Sequence, residues 1–173
     1  MPSAGVTYPN YGLAHTFESL AQLIKMDVGL KFATIDYGGW DTHVQQNPHF
    51  SQLVLELSSS LNAFWNDMSQ YHDRLTLVTV SEFGRRVRAN QSNGTDHGHG
   101  NCMIALGKNV QGGKMHGTWP GLANEQLDHG SDLAVTTDYR WVLAEMCAKN
   151  YGIKDAKSLF PKLDAIQPVG VFG

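Results

Sequence analysis

The chain has 173 residues, 42% of them hydrophobic and 17% charged, a make-up that fits one folded domain and excludes a disordered segment. A net charge of −3 with no basic stripe excludes a phosphate-neutralising nucleic-acid binder. No apolar run reaches the length of about eighteen residues that a membrane span needs.

Residues 1–12 are polar, without periodicity, and read as an N-terminal arm; they carry no signal-peptide pattern. Phe17, Leu20, Ala21, Leu23 and Ile24 follow helical spacing and predict a helix over 15–26. Residues 31–37 (KFATIDY) predict a short buried strand that runs into a Gly38-Gly39 turn. Pro48 precedes a second helix over 49–71, whose apolar face is marked by Leu53, Leu57, Leu61, Phe64 and Met68. Residues 75–80 (LTLVTV) and 102–106 (CMIAL) predict two more strands, and the polar stretch 88–94 predicts an exposed loop between them.

Residues 107–121 are glycine-rich and turn-like. Thr136, Thr137 and Asp138 read as a helix start, with the helix running to about Asn150 and stopping at Gly152. The domain plan is therefore one unit, with an arm at 1–12, a core at 13–152 and a tail at 153–173. Strands alternating with helices predict an α/β fold on a mostly parallel sheet. Cys102 and Cys147 lie in apolar surroundings without CxxC spacing, and both read as small core residues.

Two clusters carry the chemistry. Thr95-Asp96-His97-Gly98-His99-Gly100 combines one carboxylate with two imidazoles, and Gly38-Gly39-Trp40-Asp41-Thr42-His43 adds a further Asp and His. Hard oxygen and borderline nitrogen donors suit Zn²⁺, Mn²⁺ or Fe better than Ca²⁺. Both clusters stand beside predicted strands, where α/β proteins build their sites, so convergence on one metal centre is the expectation. An isolated His is more often structural or merely at the surface than a ligand, and His15, His49, His72 and His129 take that reading, while His116 stays open. Glu82 either starts a helix, or joins the metal shell or orients a ligand histidine; Arg85 and Arg86 either face solvent or pair with carboxylates, or one of them clamps an anionic substrate. Asp36 is a minor candidate, and Asp138 reads as a helix cap.

Together, Gly39-Trp40-Asp41-Thr42-His43, Ser81-Glu82-Phe83-Gly84-Arg85-Arg86 and Thr95-Asp96-His97-Gly98-His99-Gly100 resemble the signature blocks of the DUF1501 proteins. Trp119-Pro120-Gly121-Leu122 and Thr136-Thr137-Asp138-Tyr139-Arg140 add to the resemblance, which covers residues 12–152. That family is similar to the sulfatases and the alkaline phosphatase superfamily. The resemblance implies the C-terminal portion of an alkaline-phosphatase-like three-layer sandwich, with up to two divalent ions, zinc first and manganese or iron next. Asp41, His43 and His99 would hold one ion and Asp96 and His97 the other, with Glu82 and an arginine, Arg85 or Arg86, as catalytic candidates.

Full-length members are more than twice this length, so the resemblance also implies that an N-terminal half supplies the nucleophile and another metal-binding Asp. The implied activity is hydrolysis of an anionic phosphate or sulfate ester, the two ions sitting about 4 Å apart. The alternative is a non-catalytic metal-binding module that docks a partner or a second copy of itself. A zinc peptidase is disfavoured, because HExxH and HxxEH are absent. The resemblance suggests an exported or periplasmic home.

Overall fold

A computed structural model describes residues 1–163 and 165–173. The chain forms two compact units. The first comprises Met1–Tyr71 and Asn90–Thr95, and the second His72–Ala89 and Asp96–Gly173.

In the first unit, helix α1 (Gly12–Lys25) packs on helix α2 (Gln46–Asp67). Their contact is built from Ala14, Phe17 and Ala21 on one side and Ser60, Ala63 and Phe64 on the other, all buried. The three- and four-residue spacing of these positions puts them on one stripe of each helix. Phe17 and Phe64 pack with their rings tilted by 38° and centroids 4.9 Å apart. Helix α2 begins at Gln46, so Pro48 lies inside its first turn, where a missing N–H leaves no intrahelical bond unmade.

The N-terminal arm is anchored to this helix pair. Asp67, 1% exposed in its side chain, accepts hydrogen bonds from the Ser3 amide (2.6 Å), Tyr8 Oη (3.0 Å) and Lys25 Nζ (2.5 Å). Burial alone would raise the Asp67 carboxyl; the bonds from Lys25, Ser3 and Tyr8 outweigh it and hold its pKa below 3.8. Tyr8 moves upward, through burial and through donating to that carboxylate.

The second unit contains strand β1 (Thr76–Val78), strand β2 (Gly84–Arg85), strand β3 (His97–Gly98), strand β4 (Ala105–Gly107), helix α3 (Tyr139–Tyr151) and a single turn, α4 (Ala156–Leu159). β1 pairs with β4, Thr76 opposite Gly107 and Val78 opposite Ala105, and β2 pairs with β3. Asp138 caps α3, its carboxylate accepting from the Arg140 amide, and Gly152 ends it in the left-handed conformation at φ 68°. Val142, Val171 and Phe172 form the buried core, packed against Val78, Ala105 and Met146. Glu145 on α3 fastens the C-terminal segment by accepting from the amides of Val169 (2.9 Å), Gly170 (2.9 Å) and Phe172 (2.6 Å).

The three-layer, mostly parallel sandwich expected from the sequence is not what forms. Both sheets among the described residues are two-stranded and antiparallel. Parallel neighbours need a crossover of a dozen or more residues, usually a helix. Between β1 and β4 the chain makes no helix, only loops and the β2–β3 pair, so β4 returns alongside β1 in the opposite sense. The strand expected at 31–37 is also absent; that stretch is irregular and mostly exposed. Cys102 is exposed, while Cys147 is buried as expected. Among the described residues no helix is long and apolar enough to cross a membrane.

Candidate functional site

In the first unit, Asp41 and His43 lie on the loop that leads into α2. His43 Nε2 stands 3.0 Å from Asp41 Oδ1, with both side chains solvent-accessible. The loop is held by its own unit. Asn90 Nδ2 donates to the His43 carbonyl (3.0 Å), and the Thr95 amide donates to the buried Thr42 (3.3 Å). The amides of Gln45 and Gln46 donate to Ser92 and Asn93, both at 2.9 Å. Gly94 fits against this loop because a Cβ there would collide with the His43 carbonyl. Trp40 sits edge-on to Tyr37 and Phe50. Burial and a hydrogen bond to Glu56 push the Tyr37 hydroxyl up to about 12.

In the second unit, the Asp-His-Gly-His cluster builds β3 and the residues beside it. Gly98 lies opposite Gly84, and a Cβ at Gly98 would sit 2.6 Å from the Arg85 main chain, so these glycines allow close backbone approach. Arg85 is the cross-strand partner of His97, and the His97 ring lies 4.3 Å from Phe83. Asp96 is half-buried, and its carbonyl accepts from the Arg86 amide at 3.0 Å. Glu82 precedes β2 and is exposed.

His99 faces two carboxylates that the sequence reading did not single out. Its Nδ1 lies 2.9 Å from Asp128 Oδ2 and 3.9 Å from Asp132 Oδ2. The hydrogen bond from His99 is the main reason the Asp128 carboxyl falls below its ordinary value, with His129 adding to it. Both aspartates stand at the ends of a tight hairpin, Asp128-His129-Gly130-Ser131-Asp132, in which each of the two donates its amide to the other's carbonyl (2.8 and 3.0 Å). His129 at φ 49° and Gly130 at φ 68° turn the chain. The signal in the sequence was a His-Gly pair flanked by hydrogen-bonding aspartates, a turn pattern that the surface reading of His129 obscured.

Asp41 and His43 are thus brought together in the first unit. In the second, Arg85 is brought opposite His97, and His99 is brought to Asp128 and Asp132. His116, left open from the sequence, lies 2.9 Å from the Gln111 carbonyl through Nε2. Asp36 is exposed. Chemically, each His–Asp pair couples an imidazole to a carboxylate that fixes its orientation and chooses which ring nitrogen keeps a lone pair.

Neither a curated protein nor a solved structure matches this chain. The family model described as "Protein of unknown function (DUF1501)" matches residues 14–159, most of its length. The chain belongs to the DUF1501 family.

Proposed function

We propose that this chain is the metal-binding, C-terminal portion of a hydrolase acting on phosphate or sulfate esters. The observation that carries the reading is the Asp41–His43 pair, 3.0 Å apart on a loop tied down at Thr42, His43, Gln45 and Gln46. A carboxylate oxygen and an imidazole nitrogen already side by side fit Zn²⁺, Mn²⁺ or Fe, and ordering the loop beforehand lowers the entropy lost when a ligand binds. Asp41 and His43 would hold an ion in the first unit, and Asp96, His97 and His99 supply donors of the same kind in the second. A bound ion would supply Lewis-acid polarisation of an ester oxygen. Arg85, fixed opposite His97, offers a guanidinium for non-bridging oxygens, and Glu82 a carboxylate within reach of solvent. The nucleophile would come from a segment N-terminal to these blocks, as the resemblance to sulfatases and alkaline phosphatases implies.

The test is metal content by plasma mass spectrometry for the wild-type chain and an Asp41→Asn/His43→Gln variant, with aryl phosphate and aryl sulfate turnover measured alongside. Bound zinc, manganese or iron that falls in the variant supports the reading. Metal bound equally by both proteins, or by neither, refutes it. Metal binding without ester turnover, even after an N-terminal half is supplied, favours the non-catalytic metal-binding module.

A further inference from the structure

The turn at 90–95 that fastens the Asp41–His43 loop restricts what can stand at positions 93 and 94. Asn93 lies at φ 57°, in the left-handed region that favours Gly, Asn and Asp. Gly94 is buried against the His43 carbonyl, with no room for a Cβ. The chain meets both demands with Asn before Gly, the one such dipeptide in its sequence. That pairing is chemically labile: with no Cβ to shield it, a glycine amide nitrogen can close on the carboxamide carbon of the preceding asparagine. Asn93 is exposed, so water reaches its carboxamide.

The nitrogen that would attack is occupied. The Gly94 amide donates to Asn90 Oδ1 at 3.0 Å, and the Ser92 amide donates to the same oxygen at 2.9 Å. The Asn90 amide closes the turn on the Gly94 carbonyl at 2.8 Å. These bonds have to open before the Gly94 nitrogen can approach Asn93 Cγ.

We infer that Asn93 is a deamidation site, guarded by Asn90 while the 90–95 turn is closed, and that its conversion to isoaspartate permanently unfastens the loop carrying Asp41 and His43. The Gly94 nitrogen bonds to Asn93 Cγ, the Cγ–Nδ2 bond breaks, and ammonia leaves with the Gly94 proton, giving a succinimide. Water then opens the ring at either carbonyl. Opening at Cγ gives aspartate, which tolerates the left-handed φ and keeps the main chain intact. Opening at the main-chain carbonyl gives isoaspartate, whose chain runs through Cγ and is longer by one atom. The carbonyl that accepts from the Gln46 amide becomes a free carboxylate, and the Gln45–Ser92 and Thr95–Thr42 bonds on either side lose their common register. The inference depends neither on metal binding nor on ester hydrolysis.

Ageing the folded full chain at mildly alkaline pH tests this, with isoaspartate at position 93 counted by enzymatic methylation and peptide mass spectrometry. Wild type is compared with the same chain unfolded in urea, with Asn90→Ala and with Asn93→Gly. Folded wild type should form isoaspartate at least about tenfold more slowly than the unfolded chain, and Asn90→Ala should recover most of that factor. Asn93→Gly fits the left-handed φ and should form none. Hydrogen exchange at Gln45, Gln46 and Thr95 should quicken in the isoaspartate-bearing fraction and stay unchanged in aged Asn93→Gly. Folded wild type that stays free of isoaspartate while the unfolded chain converts overturns the site. Asn90→Ala ageing no faster than wild type overturns the guard, and exchange unchanged by isoaspartate overturns the effect on the loop. Should Asn90→Ala fail to fold, wild type in urea below its unfolding transition decides: a rate that climbs with urea supports the guard, and a flat one refutes it.

Discussion

Replacing Asp67 with Asn removes a buried charge at the junction of the N-terminal arm, α1 and α2 while keeping the side chain's shape. Asp67 receives three donors, from Ser3, Tyr8 and Lys25, and an amide can satisfy only part of that set. Breaking a buried ion pair by removing one partner costs about 3–5 kcal/mol. The lower end applies here, because Lys25 is 22% exposed and its Nζ also donates to Met1 and Ser3. A loss of about 3 kcal/mol corresponds to a fall of roughly 6–12 °C in melting temperature for a chain of this size. The folded-state pKa of Asp67 lies below its ordinary 3.8, so its contribution is complete above that pH and is lost as pH falls through the folded value. Urea denaturation of both proteins should therefore show a constant gap near neutrality that closes in acid. Amide exchange in α1 and α2 would locate the loss in the first unit. A gap under about 1 kcal/mol at neutral pH, or one that persists in strong acid, would refute the argument that the charge itself stabilises the junction.

Ser60 lies fully buried on α2 with its hydroxyl unpartnered, so Ser60→Ala should raise stability by about 1 kcal/mol, measured by the same denaturation; a loss would mean the hydroxyl has a role. Glu145→Ala strips the acceptor from three amides and should cost about 2–3 kcal/mol, with faster hydrogen exchange at residues 169–172. Burial tends to raise the Glu145 carboxyl, but the amides of Phe172, Gly170 and Val169 hold it below 4.5, so wild type should lose this advantage only below that pH.

The helices were legible because their information is local and periodic. Of the apolar positions that mark the two helices in the sequence, Phe17, Ala21, Phe64 and Met68 are buried, Leu20, Ile24, Leu53, Leu57 and Leu61 are half-buried, and Leu23 is exposed. The Asp138 cap and the Gly152 stop bound α3 within a residue or two of the expected span. Strands were read less well, because a strand needs a partner that its own residues do not announce. KFATIDY has strand-like composition yet forms no ladder, while the residue pairs of β2 and β3 hide among glycines. In the fold those glycines permit one backbone to lie against another. The Asp41–His43 pairing was visible as a cluster. Asp128 and Asp132 were not, since their convergence on His99 depends on a hairpin that brings together residues about thirty positions apart.

The route of the backbone between residues 89 and 96 bears on the order in which the protein acquires structure. The α1–α2 pair is local in sequence and can assemble early. The loop carrying Asp41 and His43 cannot, because the groups that bind its main chain sit at Asn90, Ser92, Asn93 and Thr95, some fifty residues downstream. During synthesis that loop stays unanchored until residue 95 has emerged, by which point β1 and β2 are already outside. Cleavage anywhere between 72 and 89 leaves the helix pair intact and makes the loop's fasteners a separate piece, turning a covalent tether into a matter of concentration.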